Sequence, residues 1–299
     1  MRKRIYLLIV LPFFVYQTIA QIQDPDLAIQ LSYNFDQAQG RLIFYSDNRD
    51  FCDYYLSIFF LNSEGFEGMS FESPVTVGHG RRQIKTYKVK AGATRYSYNY
   101  GYAMYRGGFR KKTTIDFIYS LPVAIKESVQ AWIVENQEGY QLSFALPADT
   151  VYACRGGVMC DDNLKDNTAK GYKHFNDNRN MAQITVYHPD GSFGEYVFRG
   201  KSLVYPGEKI KMGSPIGLID RTDRLRFSVY FLDKNKLKDK SIGNKHTHFR
   251  PFFQTVSEGK TRLENNTTYL CAFTDEMLMQ DMSNREKKIF LKNKIHEKE

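Results

Sequence analysis

Apolar and polar positions alternate along most of this chain with a period of two, which is typical of β-strands. In the first third the alternation predicts strands over residues 42–45, 54–60 and 83–89. Tyr96, Tyr98, Tyr100 and Tyr102 alternate strictly and predict one further strand with an aromatic face. We interpret that face as packed against a core; an aromatic platform for sugars or peptides is the alternative.

Short strands continue in the second half of the chain, at close spacing. They are predicted at residues 141–145, 150–153, 158–160, 184–188, 194–198, 216–219 and 225–231. Turn residues, such as Pro189-Asp190-Gly191, lie between them. Because no long helical period interrupts these strands, the sequence predicts an all-β fold of sandwich or barrel type.

Other segments break this pattern. Residues 114–135 contain Ser120-Leu121-Pro122 and are predicted to be a connector. Residues 161–180 are polar without a period and predict a surface loop. A closing strand is expected over residues 248–254. Acidic residues followed by basic ones predict a helix over residues 274–294.

The first twenty residues have the pattern of a secretory signal peptide. Arg2, Lys3 and Arg4 precede an apolar run from residue 5 to residue 16, and small residues follow at Thr18 and Ala20. No later run reaches the roughly 18 apolar residues of a membrane span. We therefore expect an exported protein, periplasmic or at the cell surface, with no integral membrane segment after removal of the leader.

Composition narrows the function only moderately. Hydrophobic residues make up 42% of the chain and charged residues 25%, as in globular proteins. The formal net charge is +9, and the leader contributes three of these positive charges. An excess this small argues against a dedicated nucleic-acid binder.

The four cysteines, Cys52, Cys154, Cys160 and Cys271, are too scattered for a zinc site of the CxxC type. Export would allow disulfides, and four cysteines permit three connectivities. Cys154 and Cys160 flank the turn at Gly156-Gly157 and are the disulfide candidates.

Three sequence landmarks follow one another between residues 146 and 217. The first is LPADTVYA at residues 146–153 followed by RGGV at residues 155–158. The second is ITVYHPDG at residues 184–191 followed by Glu195-Tyr196. The third is VYPGEKI at residues 204–210 followed by GSPIG at residues 213–217. In this order the landmarks resemble the lysostaphin-type, or LytM-type, zinc endopeptidases of bacterial cell walls. The resemblance implies the family's duplicated hybrid motif fold over residues 121–254, after an amino-terminal Tyr-rich β-domain over residues 21–120 and before a charged tail over residues 255–299.

The residues that hold and use zinc in this family are missing. Two His and one Asp bind the metal there, and further His residues handle protons. Ser143 stands at the position of the Asp, and Phe198 at that of a catalytic His. Arg224 and Arg226 replace the closing His-x-His. Since a guanidinium stays protonated, Arg cannot bind a metal.

The resemblance therefore implies an inactive peptidase-like protein without a cofactor. We expect it to bind a peptidoglycan peptide, or to regulate a partner wall hydrolase, through the former substrate groove. The residues expected to line that groove are Tyr152, Tyr196, Phe198, Arg224 and Arg226. Arg224 and Arg226 could hold a carboxylate; a plain salt bridge to Asp220 or Asp223 is the alternative.

Two other functions stay open. An active zinc endopeptidase would need a rebuilt metal site, for which His188, His246 and His248 are the candidates. His246-Thr247-His248 would present both rings to one face of a strand, although a polar strand without metal explains it equally. The third hypothesis is a structural surface protein that binds through its Tyr-rich β-domain.

Overall fold

A computed structural model describes residues 26–69, 72–109, 112–136, 139–164, 180–239 and 242–296. The predicted signal peptide lies outside these residues. So do residues 165–179 of the predicted 161–180 loop. No helix in the described ranges is long and apolar enough to cross a membrane.

The protein is all-β in class, as predicted, and its amino-terminal part forms two three-stranded antiparallel sheets. Their strands are Ile29–Asp36 (β1), Arg41–Asn48 (β2), Tyr54–Glu64 (β3), Glu72–Val77 (β4), Gly80–Lys88 (β5) and Ser97–Arg106 (β6). One sheet has the order β1-β2-β5 and the other the order β4-β3-β6. Burial alternates residue by residue along β2, because one face of the strand packs on the core and the other does not.

The alternating tyrosines of β6 lie on a packed face. The Tyr98 ring meets Tyr33 edge-on at 5.6 Å, and Tyr100 meets Phe44 at 5.1 Å. Tyr98, Tyr100 and Tyr102 pack partly buried against the amino-terminal core. The prediction of a packed sheet face is confirmed for these three tyrosines, whereas Tyr96 precedes β6 and is 45% exposed.

An 11-stranded sheet dominates the rest of the described chain, with a small three-stranded sheet beside it. The strands of the two sheets are Ile118–Tyr119 (β7), Ser128–Asn136 (β8), Gly139–Ala145 (β9), Thr150–Tyr152 (β10), Gly157–Met159 (β11), Met181–Tyr187 (β12), Ser192–Ser202 (β13), Lys209–Ile210 (β14), Pro215–Ile219 (β15), Leu225–Leu232 (β16), His246–His248 (β17), Phe252–Thr255 (β18), Gly259–Thr261 (β19) and Thr267–Leu270 (β20). The main path of the large sheet runs β14-β11-β12-β13-β16-β9-β8-β20, and β7, β18 and β19 form the small sheet. Each of the seven strands predicted between residues 141 and 231 is present.

The predicted connector at residues 114–135 is wrong. It contains β7 and most of β8, and its side chains Phe117, Tyr119, Leu121 and Val123 are almost fully buried in the main core. Pro122 prevents a helix but not an extended chain, and these four apolar residues keep the period of two.

The predicted closing strand at residues 248–254 is also divided. His246–His248 pairs with β16, whereas Phe252–Thr255 belongs to the small sheet. Phe249 to Pro251 lies between the two strands and belongs to neither.

The predicted carboxy-terminal helix is interrupted. Asp275–Met279 (α2) and Asn284–His296 (α3) are separate helices, and Lys234–Lys238 (α1) is a short helix that the sequence pattern did not predict. The Thr274 hydroxyl accepts the amide of Met277 and caps α2. Ser283 and Glu286 exchange hydrogen bonds at the start of α3, which is a capping box and begins a new helix there.

The buried apolar residues form two clusters. The larger one gathers residues from Phe117 to Cys271. The second is built on β1–β6, but it also contains Cys160, Tyr187 and Phe193 of the later chain. The predicted amino-terminal domain therefore completes its core with residues of its neighbour.

Candidate functional site

Of the four positions that the resemblance assigns to the zinc site, Ser143, Arg224 and Arg226 lie on one side of the large sheet. In neighbouring antiparallel strands, directly paired residues point to the same face. Trp132 on β8 pairs with Ser143 on β9, which pairs with Arg226 on β16. Arg226 pairs in turn with Val197 on β13. We call Trp132, Ser143, Arg224 and Arg226 the arginine face.

Arg224 joins this face just before β16 begins. Its guanidinium carbon lies 3.9 Å from the centroid of the Trp132 ring, which is a close cation–π contact. Arg224 is exposed, while Arg226 and Trp132 are half-buried. Sequence analysis missed Trp132 because its strand was predicted to be a connector. The one signal that could have pointed to this residue is that the chain has a single Trp.

The next paired row on the same face carries an acidic group. Glu195 on β13 faces Ser228 on β16 and Thr185 on β12. The amide of Gln183 donates to one carboxylate oxygen of Glu195 at 2.9 Å, and the Ser228 hydroxyl donates to the other at 3.2 Å. This side of the sheet is thus polar and carries charges of both signs.

Tyr196 and Phe198 do not line an open groove, and this prediction is wrong. Both point to the opposite face of β13 and have no exposed surface. The Tyr196 hydroxyl accepts the amide of Cys154 at 2.7 Å, and the Phe198 ring packs against Gly217. Tyr152 is half-buried on β10, which pairs with β15 and not with a strand of the arginine face.

The arginine face does not fit a catalytic zinc. A hydroxyl and two permanent cations stand where two neutral imidazoles and a carboxylate would be required. No catalytic step through zinc can be derived from these side chains.

The three candidate His residues for a rebuilt metal site are not brought together. His188 is buried, with Nδ1 2.8 Å from the carbonyl oxygen of Gly156, while the rings of His246 and His248 pack on Tyr230. Within the described residues, the one group with metal-ligand spacing consists of Asp50, Cys52 and Cys160 and includes no His. The prediction of a site from His188, His246 and His248 is therefore wrong for this structure.

A buried arginine, Arg155, packs against Phe117 of the main core. Arg155 is 1% exposed, pairs with Asp190 at 3.0 Å and with Asp281 at 2.8 Å, and lies 3.6 Å above the Phe117 ring. Burial tends to raise the pKa of Asp190, but the Arg155 charge and hydrogen bonds from Ser192 outweigh it and lower that pKa. Burial and the same charge lower the pKa of His188 to about 3, so its ring is neutral near pH 7.

The predicted disulfide candidates Cys154 and Cys160 are separated. Cys154 is buried in the main core, near Cys271. Cys160 belongs to the second core, where its sulfur lies within 4.8 Å of the sulfur of Cys52. The structure contradicts a Cys154–Cys160 pair because the two side chains enter different cores.

Comparison with known proteins gives few neighbours. No family model and no curated protein matches the chain. The structure of Helicobacter pylori Csd3 from the orthorhombic crystal is similar at 10% identity and a TM-score of 0.30, covering 90% of this chain and 81% of that chain. Csd3 from the hexagonal crystal is similar at 10% identity and a TM-score of 0.26, covering 67% and 70%. At these TM-scores the likeness does not define a shared fold, and the lysostaphin-type resemblance rests on the sequence landmarks.

Proposed function

We propose that this chain is an exported, catalytically inactive peptidase-like protein that binds a cell-wall peptide on the arginine face. The observation that carries the proposal is the juxtaposition of Arg224, Arg226 and Trp132 on the strands where the resembling enzymes bind zinc. The other candidate ligand of the arginine face is a partner wall hydrolase that presents a similar peptide segment.

The chemistry of the face suits a peptide that carries a carboxylate. Guanidinium groups bind carboxylates through paired, charge-assisted hydrogen bonds. Trp132 offers a flat apolar surface beside them, which can cover the non-polar part of a peptide. Ser143, paired with Arg226 across β9 and β16, adds a neutral hydroxyl to the same face.

The proposal is tested by binding to purified peptidoglycan and its soluble peptides. We expect the double variant Arg224→Met and Arg226→Met to weaken binding at least tenfold, since it removes both cations while keeping side-chain bulk. The matched control is Arg221→Met with Arg285→Met, because both arginines are exposed and lie outside the face. Equal affinity of the two double variants and the wild type would show that the arginine face is not the binding site.

Catalytic inactivity has its own test. The chain from residue 21 is dialysed against micromolar zinc, analysed for bound metal and incubated with peptidoglycan. We expect no stoichiometric zinc and no cleaved peptide bonds. Equimolar, tightly held zinc together with cleavage would establish the competing function, an active endopeptidase.

The third hypothesis, binding through the Tyr-rich β-domain, receives less support. Tyr98, Tyr100 and Tyr102 pack partly buried against the amino-terminal core, which leaves less ring surface for a ligand. Binding that survives the arginine substitutions but is lost with Tyr96→Ala, on the exposed end of that row, would favour it.

A further inference from the structure

Two buried cysteines meet where the two predicted domains share a core. Cys52 lies between β2 and β3 and is 1% exposed, and Cys160 directly follows β11 and has no exposed surface. Their sulfur atoms and a carboxylate oxygen of Asp50 all lie within 4.8 Å of one another. The cysteines are 108 residues apart in the sequence, so only the tertiary structure brings them together.

We propose that Cys52 and Cys160 form a disulfide that joins the amino-terminal β-sheets to the large sheet. The inference goes beyond the proposed function and does not depend on what the arginine face binds. The two sulfurs, which already lie within 4.8 Å of each other, have to approach to the bonding distance of about 2.05 Å.

A metal ion is the competing occupant of this cluster, and the carboxylate argues against it. Both oxygens of Asp50 already accept hydrogen bonds or ion pairs. The donors are the amides of Phe51 and Asp161 at 2.7 Å each, the Tyr54 hydroxyl at 2.9 Å, the Cys52 thiol at 3.4 Å and the Arg106 guanidinium at 2.9 Å. A divalent cation would have to displace them and sit beside the Arg106 charge, and two sulfurs alone do not complete a zinc site.

Oxidation leaves this surrounding network intact. The thiol of Cys52 is the weakest of the Asp50 donors, and its loss leaves Tyr54 and Arg106 on the same oxygen. Arg106 also pairs with Asp162 at 2.8 Å and donates to the carbonyl of Asp161, two residues that follow Cys160 closely. The disulfide would thus reinforce covalently a contact that buried ion pairs already make.

The reaction needs a disulfide oxidant, such as oxidised glutathione or an oxidoreductase of an oxidising compartment. One cysteine thiolate attacks the oxidant's sulfur–sulfur bond and forms a mixed disulfide, releasing one thiol. The second thiolate then attacks the mixed disulfide, closes the Cys52–Cys160 bond and releases the second thiol. The oxidant accepts two electrons, and the two cysteine protons pass to its thiols.

The order of events follows from burial. Burial raises the pKa of both thiols, so few thiolates exist once the two cores have formed. We therefore expect the bond to close during folding. For the same reason, it should resist reductants in the native protein.

Peptide mapping tests the connectivity directly, because trypsin separates the four cysteines. Cleavage after Lys and Arg gives residues 50–81 with Cys52, 127–155 with Cys154, 156–165 with Cys160 and 263–285 with Cys271. The chain from residue 21 is refolded in a buffer of oxidised and reduced glutathione, alkylated in denaturant, digested without reduction and analysed by mass spectrometry. We expect residues 50–81 linked to residues 156–165.

A variant with Cys154→Ala and Cys271→Ala is the control, since it retains only the two cysteines of the proposed bond. It should give the same linked peptides. Its melting temperature should be about 10 °C higher when refolded with glutathione than when refolded with a reductant, as expected for closure of a long loop.

Three results would overturn the proposal. They are a link between residues 127–155 and 156–165, alkylation of both Cys52 and Cys160 after oxidative refolding, and equimolar zinc held with both thiols free. Equal melting temperatures of the two preparations of the control variant would contradict it independently of the mapping.

Discussion

Arg155 and Asp281 form a two-pronged ion pair between parts of the chain 126 residues apart. Nε and Nη2 of Arg155 donate to the two carboxylate oxygens of Asp281 at 2.9 and 2.8 Å. Arg155 precedes β11, whereas Asp281 lies in the link between α2 and α3. Asp281 therefore links the carboxy-terminal segment to the buried guanidinium of Arg155, next to β11 of the large sheet.

This relationship predicts a specific loss of stability. Asp281→Asn keeps the shape of the side chain but removes its charge, leaving Arg155 with a single full counter-charge at Asp190. We expect a loss of about 2 kcal/mol in the free energy of unfolding, measured by urea denaturation. Asp275→Asn, which breaks the exposed pair with Lys294, should cost less than about 0.5 kcal/mol. Equal effects of the two substitutions would show that the pair made by the buried Arg155 contributes no more than an exposed pair.

His188 predicts a pH dependence of stability. Its folded pKa is lowered to about 3 by burial and by the Arg155 charge, against an ordinary value of 6.5. The unfolded chain therefore binds the proton more readily, and the stabilisation is complete above pH 6.5 and is lost as the pH falls towards 3. We expect His188 to account for a loss of about 2 kcal/mol between pH 7.5 and pH 5.

His188→Asn should flatten this profile, because its amide can still donate to the carbonyl of Gly156 but does not titrate. The groups around His188 are Arg155, Asp190 and the Tyr119 ring. The Asp190 pKa is lowered, so its titration falls below this pH range. His79→Asn, at an exposed site, is the control. If the free energy of unfolding of His188→Asn depended on pH as steeply as that of the wild type, His188 would not be the cause of the pH dependence.

Replacement of Arg106 even by lysine should destabilise the protein. Its guanidinium reaches Asp50, Asp162 and the Tyr54 hydroxyl at once, a geometry that a single ammonium cannot reproduce. We expect Arg106→Lys to lower the free energy of unfolding by about 3 kcal/mol, measured by urea denaturation. Arg285→Lys on the exposed surface of α3 should leave it unchanged within about 0.5 kcal/mol. A small effect at Arg106 would mean that water substitutes for the lost contacts.

Gly217 should not accept a side chain. A Cβ at this position would lie 2.3 Å from the Phe198 ring, and that ring has no room to move because it is fully buried. We expect Gly217→Ala to cost about 2 kcal/mol in thermal or urea unfolding. Gly243 is the matched control, since a Cβ there has no described atom within 4 Å. Equal stability of the two variants would contradict the close approach of β15 to β13.

The sequence by itself determined the class of the fold. Strands are specified locally by the alternation of apolar residues, which is why the strands predicted between residues 141 and 231 and the Tyr-rich strand β6 are present. It also specified that Arg224 and Arg226 are not metal ligands, since a guanidinium stays protonated wherever the fold places it.

Only the tertiary structure decided which residues meet. The period of two assigns Tyr196 and Phe198 to one face of β13, but pairing with β16 decides that this face is the core and that Arg226 lies on the other. The Cys52–Cys160 and Arg155–Asp281 contacts join residues more than 100 positions apart. Local patterns carry no information about such pairs, because the two partners come together only when the sheets pack and burial makes each contact favourable.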